Sequence, residues 1–389
     1  MPAWILPEYI EDLLPAEALR IEMMRRRVID LLLVHGYELV GPPLLEYVES
    51  LLTGSGGDTN LRMFKVVDQL NGRMMGLRAD MTPQVARIDA HLLNRKGVAR
   101  LCYAGSVLHA VPSGLTRTRE PLQIGAELYG HAGLESDFEV QQLMLRSLGI
   151  AGIEKIHVDL GHVAVFRGLV RGAGIHAELE KGLFSALQAK DTHALTELCR
   201  ELDGSIAPLV REALLLLPEL YGDERVLALA RKYLPDYPEI MTAVDELELA
   251  GVELRPLVDS LAFDLADLRG YHYHSGMVFA AYTHGSSNAI ALGGRYDEVG
   301  KAFGRARPAT GFSMDLRELS GLVQMESTPK GILAPHMKGD AKLEEKMEQL
   351  RNEGQVVIVD LPGREYGQDI AGCDRKLTLK HGSWAVVSI

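Results

Sequence analysis

Three histidines lie close together in the sequence and could bind a metal ion: His272, His274 and His284. Residues two apart on a strand lie on the same face, so His272 and His274 could converge on one ion. However, no cysteine or clear carboxylate accompanies them at the spacing of a recognised zinc site. We therefore predict that the chain has no metal site, and the sequence indicates no cofactor.

Two other stretches could bind phosphate. GSGGDTN, residues 54–60, is rich in glycine but lacks the Gly-Lys-Ser/Thr of a phosphate loop and does not open a helix after a strand. VVIVDLPG, residues 356–363, lacks the paired acids and the small hydroxyl and glycine loop of a phosphoribosyl-binding sequence. We predict a flexible loop for the first stretch and an ordinary strand and turn for the second.

The composition is that of a soluble globular protein, with 47% hydrophobic and 24% charged residues in a chain of 389. The first residues lack the basic and apolar regions of a signal peptide, and no apolar run approaches the roughly 20 residues that span a bilayer. Cys102, Cys199 and Cys373 are scattered without a CxxC pair, which is typical of reduced thiols. We expect a cytoplasmic protein.

The charge balance argues against nucleic-acid binding. The chain has 41 Lys and Arg against 53 Asp and Glu, a formal charge of −12. Nucleic-acid binders gain much of their affinity by neutralising phosphates, so tRNA is not an expected partner. A local basic patch would still be compatible with this total.

The elements that must position any site follow from periodicity. An amphipathic helix is predicted over residues 15–35, with Gly36 ending it. Apolar runs around Asn71-Gly72, residues 64–68 and 73–78, predict a hairpin. Further strands are predicted at residues 100–111, 122–130, 272–283 and 288–293. Short connections between consecutive strands indicate an antiparallel sheet and an α+β fold.

Two other regions differ in texture. Strand signals vanish between about residues 166 and 252, where segments rich in Leu, Ala and Glu predict a helical insertion. Residues 330–389 predict a small α/β domain: a strand, a helix and a strand, then short strands near residues 376–379 and 384–387. The predicted domains are therefore residues 1–325, including the insertion, and 330–389.

Five segments between Trp4 and Leu322 resemble, in order, the conserved motifs of the histidine–tRNA ligase family of class II aminoacyl-tRNA synthetases. YAGSVLHAVPSGLTRTREPLQIGAELYG, residues 103–130, resembles motif 2 without a gap. HGYELVGPPLLEYVESLL resembles motif 1, LRADMTPQVAR the segment that binds the amino group, LRGYHYHSGMVFAAY the histidine-specific motif, and ATGFSMDLREL motif 3. The resemblance implies a class II synthetase core, with an antiparallel sheet flanked by helices, and a dimer through the region from Gly36 to Leu52.

The resemblance also implies a pocket for free histidine. An ammonium group needs acceptors, which Asp80, Thr82 and Gln123 could supply, with Asp80 in place of the family's glutamate. Gly125 of motif 2 is also retained. Glu127 matches the family's acceptor for the imidazole, and Arg269 could bind the carboxylate bidentately. The other ring nitrogen faces a tyrosine in the family; His274 holds the matching position, directly after Tyr273.

The nucleotide side of the family's site is not retained. His109 and Val111 stand where motif 2 carries an arginine, which holds the ATP α-phosphate, and a glutamate. Glu318 stands where the arginine of motif 3 packs on ATP. A carboxylate facing a triphosphate is repulsive, and without the arginines the charge stabilisation for adenylate formation is lost. We therefore predict that ligase activity is absent.

Within this group, the sequence most resembles the regulatory subunits of ATP phosphoribosyltransferase, the first enzyme of histidine biosynthesis. LRADMTPQVAR, RGYHYHSG, the missing arginines and the short C-terminal domain suit that family. The resemblance implies a noncatalytic subunit, needed for the activity of a short-form catalytic subunit, in a complex with four copies of each chain. It also implies feedback inhibition by histidine, so we hypothesise that the pocket is the histidine sensor.

Two alternatives come from other classes of protein. An active histidine–tRNA ligase is opposed by His109 and Glu318. A synthetase-like regulator that binds tRNA is opposed by the acidic balance and the short C-terminal domain. Arg117 and Arg119 keep the basic character of the family's motif 2 loop, which could contact tRNA or a protein partner.

Overall fold

The computed structural model describes residues 4–53, 57–112, 118–202, 204–323, 330–362 and 372–389, and the chain forms two compact units, residues 1–323 and 324–389. The described helices of the larger unit are α1 Pro15–Val34, α2 Val48–Leu52, α3 Gly57–Arg62, α4 Thr82–Arg87, α5 Leu134–Ile150, α6 Val163–Gly172, α7 Ala177–Gln188, α8 Thr192–Glu201, α9 Pro208–Leu216, α10 Arg225–Tyr233, α11 Pro238–Leu254 and α12 Leu316–Leu322. Its described strands are β1 Glu38–Leu39, β2 Leu45–Tyr47, β3 Phe64–Val67, β4 Met74–Leu77, β5 Ala99–Ser106, β6 Leu122–Tyr129, β7 His157–His162, β8 Tyr221–Gly222, β9 Ser260–Asp264, β10 Met277–Tyr282, β11 Ala291–Arg295 and β12 Ala309–Asp315.

The main sheet of this unit is mixed, in the order β1-β5-β6-β12-β11-β10-β7-β9-β8. The six strands from β5 to β7 in that order are antiparallel neighbours, as predicted. The predicted antiparallel sheet is extended into a mixed one, because β1 pairs with β5 and β7 pairs with β9 in parallel. Both parallel pairs are separated by long connections, which allow the crossover that a parallel pair requires.

The strand boundaries change the interpretation of the clustered histidines. β10 begins at Met277, not at His272, because the preceding residues form a turn around Gly270, whose φ is 62°. The amides of Tyr273 and His274 both donate to the Gly270 carbonyl at 2.7 Å. His272 and His274 therefore do not share a strand face. In the described part of the chain, no group of three or more His, Cys, Asp or Glu side chains could hold a metal ion.

The elements before motif 2 largely follow the predictions. α1 ends at Val34, and Gly36 adopts a φ of 82° just beyond it. β3 and β4 form the predicted hairpin, with Gly72 at a φ of 74°, and β4 also pairs with β2. The prediction of a loop over residues 54–60 is wrong from Gly57 onward, where α3 begins; residues 54–56 lie outside the described range.

The predicted helical insertion corresponds to α6 through α11, interrupted by the two-residue strand β8. These helices share one apolar core with α1, α5 and the main sheet. Within the described residues, no helix is both long and apolar enough to cross a membrane.

The smaller unit contains β13 Gly331–Ala334, α13 Ala341–Asn352, β14 Val357–Val359, β15 Cys373–Lys380 and β16 Ser383–Ser388, with sheet order β14-β13-β15-β16. Its core forms where Leu343 and Leu350 of α13 pack on the sheet, which contributes buried residues that include Ile332 and Leu377. The predicted strand at residues 356–363 is confirmed for β14, and Gly363 lies outside the described range.

Candidate functional site

A cavity of about 490 Å³ opens over the middle of the main sheet. Glycines at the centre of neighbouring strands leave room for it, among them Gly293, Gly294 and Gly311. Its lining includes every residue predicted to bind histidine, together with two of the positions of the lost nucleotide clamp: Asp80, Thr82, Gln123, Glu127, Arg269, Tyr273, His274, His109 and Glu318. Val111 does not line the cavity and is 60% exposed.

Glu127 lies at the bottom of the cavity, on β6, and is 1% exposed. Tyr103 on β5 donates its hydroxyl to Oε1 at 2.9 Å, and the hydroxyl of Tyr296 donates to Oε2. Burial raises the pKa of Glu127 to about 8. A carboxyl group with this pKa is largely protonated near neutral pH, so it can both donate and accept.

Two glycines make this arrangement possible by allowing close approach. Gly125 pairs with Tyr103 across β5 and β6, and a Cβ there would lie 2.5 Å from the tyrosine hydroxyl. Gly311 pairs with Glu127 across β6 and β12, and a Cβ there would overlap Oε2. Any larger side chain at either position would displace the buried carboxyl or its donor.

Asp80 lies just before α4, and two hydrogen-bond donors contact one of its carboxylate oxygens. Gln123 donates from Nε2 to Oδ1 of Asp80 at 2.8 Å and accepts from the Met81 amide at 2.9 Å. The Thr82 amide also donates to Oδ1, at 3.1 Å. The described residues therefore leave Oδ2 of Asp80 available to a ligand, whereas the Gln123 amide is already engaged on both sides.

Thr82 links this end of the cavity to its floor. Its Oγ1 lies 3.1 Å from the hydroxyl of Tyr103, which donates onward to Glu127. Either hydroxyl can donate in this contact, and the chain of contacts continues from Tyr103 to Glu127. A continuous network therefore joins the aspartate to the buried glutamate.

Arg269 lines the cavity with its charge already paired. Its Nε lies 2.9 Å from Oδ1 of the buried Asp267, its Nη2 also contacts this carboxylate, and its Nη1 donates to the Tyr282 hydroxyl at 2.9 Å. The face of the guanidinium formed by Nε and Nη2, which could chelate a ligand carboxylate, is thus taken by Asp267. Arg269 can offer a ligand only its remaining N–H groups.

Tyr273 and His274 form an aromatic wall with Tyr296. The rings of Tyr273 and Tyr296 have centroids 5.0 Å apart, and the Tyr273 hydroxyl is buried without a hydrogen-bond partner among the described residues. Nδ1 of His274 lies 3.2 Å from the Arg295 carbonyl, which can only accept, so Nδ1 carries the proton. Burial lowers the pKa of His274 to about 4, so the ring is neutral and Nε2 is an acceptor.

The other end of the cavity holds the positions of the lost nucleotide clamp. His109 is 5% exposed, and its Nε2 lies 3.0 Å from the Ala79 carbonyl. Nη2 of Arg62, at the end of α3, lies 2.9 Å from the same nitrogen. Glu318 lies at this end on α12, with Ser286 Oγ at 3.4 Å from its Oε1.

The comparisons with known proteins identify the family to which this chain belongs. A family model described as histidyl-tRNA synthetase matches residues 9–319, and one described as the C-terminal domain of ATP phosphoribosyltransferase subunit HisZ matches residues 329–387. A protein of Nitrosospira multiformis named ATP phosphoribosyltransferase regulatory subunit is 74% identical, over 99% of this chain and 98% of that protein. A protein of the same name from Nitrosomonas eutropha is 63% identical over 100% of both chains. The chain belongs to the family of ATP phosphoribosyltransferase regulatory subunits.

A solved structure supports the fold of this family member. The crystal structure named as an ATP phosphoribosyltransferase regulatory subunit/histidyl-tRNA synthetase from Bacillus halodurans C superposes with a TM-score of 0.81 at 25% identity, over 94% of this chain and 95% of that one. The predicted class II synthetase-like α+β fold with a small C-terminal α/β domain is confirmed. The chain is a regulatory subunit of ATP phosphoribosyltransferase in histidine biosynthesis, and its partner is the catalytic subunit.

Proposed function

We propose that the cavity of this regulatory subunit binds histidine and that its occupancy inhibits the catalytic partner. The observation that carries the proposal is the convergence of all seven predicted residues on one cavity, joined from Asp80 to Glu127 by hydrogen bonds. Its volume of about 490 Å³ falls in the range of about 300–1,000 Å³ that is usual for small-molecule pockets.

The polar groups match those of a free amino acid with an imidazole side chain. Oδ2 of Asp80 and Oγ1 of Thr82 accept from the ammonium group. One nitrogen of the ligand's imidazole bonds to Glu127, and the N–H of the other donates to Nε2 of His274. Since Glu127 can donate or accept and His274 is neutral, this wall accepts the ligand's neutral ring, in which one nitrogen carries a proton and one does not.

Inhibition requires that histidine bind one arrangement of the complex more tightly than the other. A coupling of about 1–3 kcal/mol, usual for allosteric proteins, corresponds to a 5- to 150-fold difference in affinity.

We propose that the subunit is needed for the activity of a short-form catalytic subunit in the cytoplasm, in a complex of four copies of each chain.

The proposed assembly includes a dimer of this chain through the region from Gly36 to Leu52. Leu39, Leu44 and Leu45 in this region are 51%, 41% and 40% exposed. Val66 and Val67 on the adjoining hairpin are also exposed. Neighbouring exposed apolar residues of this kind are typical of an interaction surface.

The test is Glu127→Ala in the complex reconstituted with the catalytic subunit. We expect phosphoribosyl transfer without histidine to be unchanged and the inhibitory concentration of histidine to rise at least tenfold, the effect of losing one hydrogen bond to a buried carboxyl. Glu135→Ala is the matched control, since the Glu135 side chain is 81% exposed. Inhibition at an unchanged histidine concentration in the Glu127 variant would refute this pocket as the sensor.

A further inference from the structure

We propose that Arg62 binds the carboxylate of the amino acid held in the cavity, a role that rests on the proposed histidine site. Arg62 is the last residue of α3 and lies outside the segments that resemble the synthetase motifs. Its side chain nevertheless lines the same cavity as Asp80 and Glu127. The positive charge that motif 2 lacks at position 109 is therefore supplied by a different element of the chain.

Arg62 is held in place by contacts of both its backbone and its side chain. Its carbonyl accepts from the Ala110 amide at 2.7 Å, which attaches the end of α3 to the strand extension that carries His109. Its Nη2 lies 2.9 Å from Nε2 and 3.3 Å from Nδ1 of His109. The guanidinium thus lies against the imidazole ring that replaces the family's arginine.

Contacts through His109 also connect Arg62 to the proposed ammonium site. Nε2 of His109, which Arg62 contacts, also lies 3.0 Å from the carbonyl of Ala79. Ala79 directly precedes Asp80, the proposed acceptor for the ammonium group. The ammonium and carboxylate of an amino acid are attached to one carbon, so their binding groups must be neighbours. Arg62 and Asp80 both line the cavity, and the contacts of His109 connect Arg62 to the residue that precedes Asp80.

Arg62 also brings a positive charge to the cavity. Of the two arginines among the described residues that line the cavity, Arg269 is neutralised by Asp267. Among the described residues, no carboxylate forms an ion pair with Arg62, whose Nη2 instead lies against the ring nitrogens of His109. A ligand carboxylate carries a full negative charge, and the guanidinium of Arg62, which lines the cavity, can form a charge-assisted hydrogen bond with it.

The test compares histidine with histidinol, in which a hydroxymethyl group replaces the carboxylate. Dissociation constants are measured by calorimetry for the full-length wild type and Arg62→Gln. A hydrogen bond to a charged group is worth a factor of about 10 to 100, and the exposed position of Arg62 favours the lower end. We expect Arg62→Gln to weaken histidine binding about tenfold and histidinol binding less than about twofold.

Two controls make the result specific. Arg26→Gln removes one charge from α1, where the Arg26 side chain is 71% exposed, and should change neither affinity. Arg62→Lys keeps the charge but loses the planar fork, so histidine should bind with intermediate affinity. If the Arg62→Gln variant does not fold, the Arg62→Lys variant still allows the binding of histidine and histidinol to be compared.

The outcomes separate this inference from the function on which it rests. Equal weakening of histidine and histidinol, or no change in either, would show that Arg62 does not bind the carboxylate. A wild-type chain that binds neither ligand, alone or with its catalytic partner, would instead refute the proposed histidine site itself.

Discussion

Replacing Gly311 with alanine should displace the buried side chain of Glu127. Gly311 lies opposite Glu127 in the register of β6 and β12, and an added Cβ would overlap Oε2 and lie 2.8 Å from the Ala126 carbonyl. Neither strand can move aside, because each is bonded to a neighbour on both edges. Glu127 would therefore turn away and lose the hydroxyl groups of Tyr103 and Tyr296.

The magnitude follows from two costs. Overpacking a well-packed interior costs about 1–3 kcal/mol. The loss of two hydrogen bonds adds about 1 kcal/mol each. We expect the free energy of unfolding to fall by about 3–5 kcal/mol, which lowers the melting temperature by roughly 4–6 °C at the usual unfolding entropy per residue. Histidine binding should weaken more than tenfold, because the displaced carboxyl no longer meets the ring.

Thermal unfolding of the full-length chain, with and without histidine, measures both effects. Gly149→Ala is the matched control: Gly149 lies in α5, an added Cβ has no neighbour within 4 Å, and alanine favours a helix by up to about 1 kcal/mol. This control should melt at the wild-type temperature or above and keep its response to histidine. If Gly311→Ala also melted and responded like the wild type, β12 would not hold Glu127 in place.

Three further predictions follow from the same structure. Burial raises the pKa of Glu127 from 4.5 to about 8, so only the folded state keeps this proton between those values. The free energy of unfolding should therefore fall as pH rises from about 5 to about 8, by at most about 1.4 kcal/mol per pH unit. Urea titrations at several pH values should show that Glu127→Gln removes this pH dependence. The chain should catalyse no histidine-dependent exchange of pyrophosphate into ATP, since neither position 109 nor position 318 carries the arginine of the synthetase motifs. Exchange above background would restore the ligase alternative. Leu39→Glu combined with Leu45→Glu should convert a dimer to a monomer in light scattering, and a persistent dimer would place the interface elsewhere.

The pocket could be predicted from the sequence where its residues belong to short continuous motifs. Asp80 and Thr82 lie two positions apart in one segment. Gln123 and Glu127 lie four positions apart on one strand, so their side chains share a face. These residues can be identified within each segment without knowing which strands are neighbours in the sheet. The structure places all four in the lining of the cavity.

The residues that complete the site were missed because long-range contacts bring them in. Tyr296 lies 169 positions from Glu127 and follows β11, and Tyr103 reaches Glu127 only through the pairing of β5 with β6. Arg62 arrives from α3, in a stretch predicted to begin as a loop. The only available signal was indirect: Gly125 and Gly311 are glycines within strands, which often marks the close approach of another group.

The most direct measurement of the central claim is the phosphoribosyl-transfer rate of the short-form catalytic subunit, alone and with this chain, over a titration of histidine. We predict that the catalytic subunit alone is nearly inactive, that the copurified complex is active, and that histidine inhibits the complex to a plateau. A catalytic subunit that is fully active alone would contradict the proposed requirement for this chain. A complex whose rate does not change with histidine would contradict its role as the sensor.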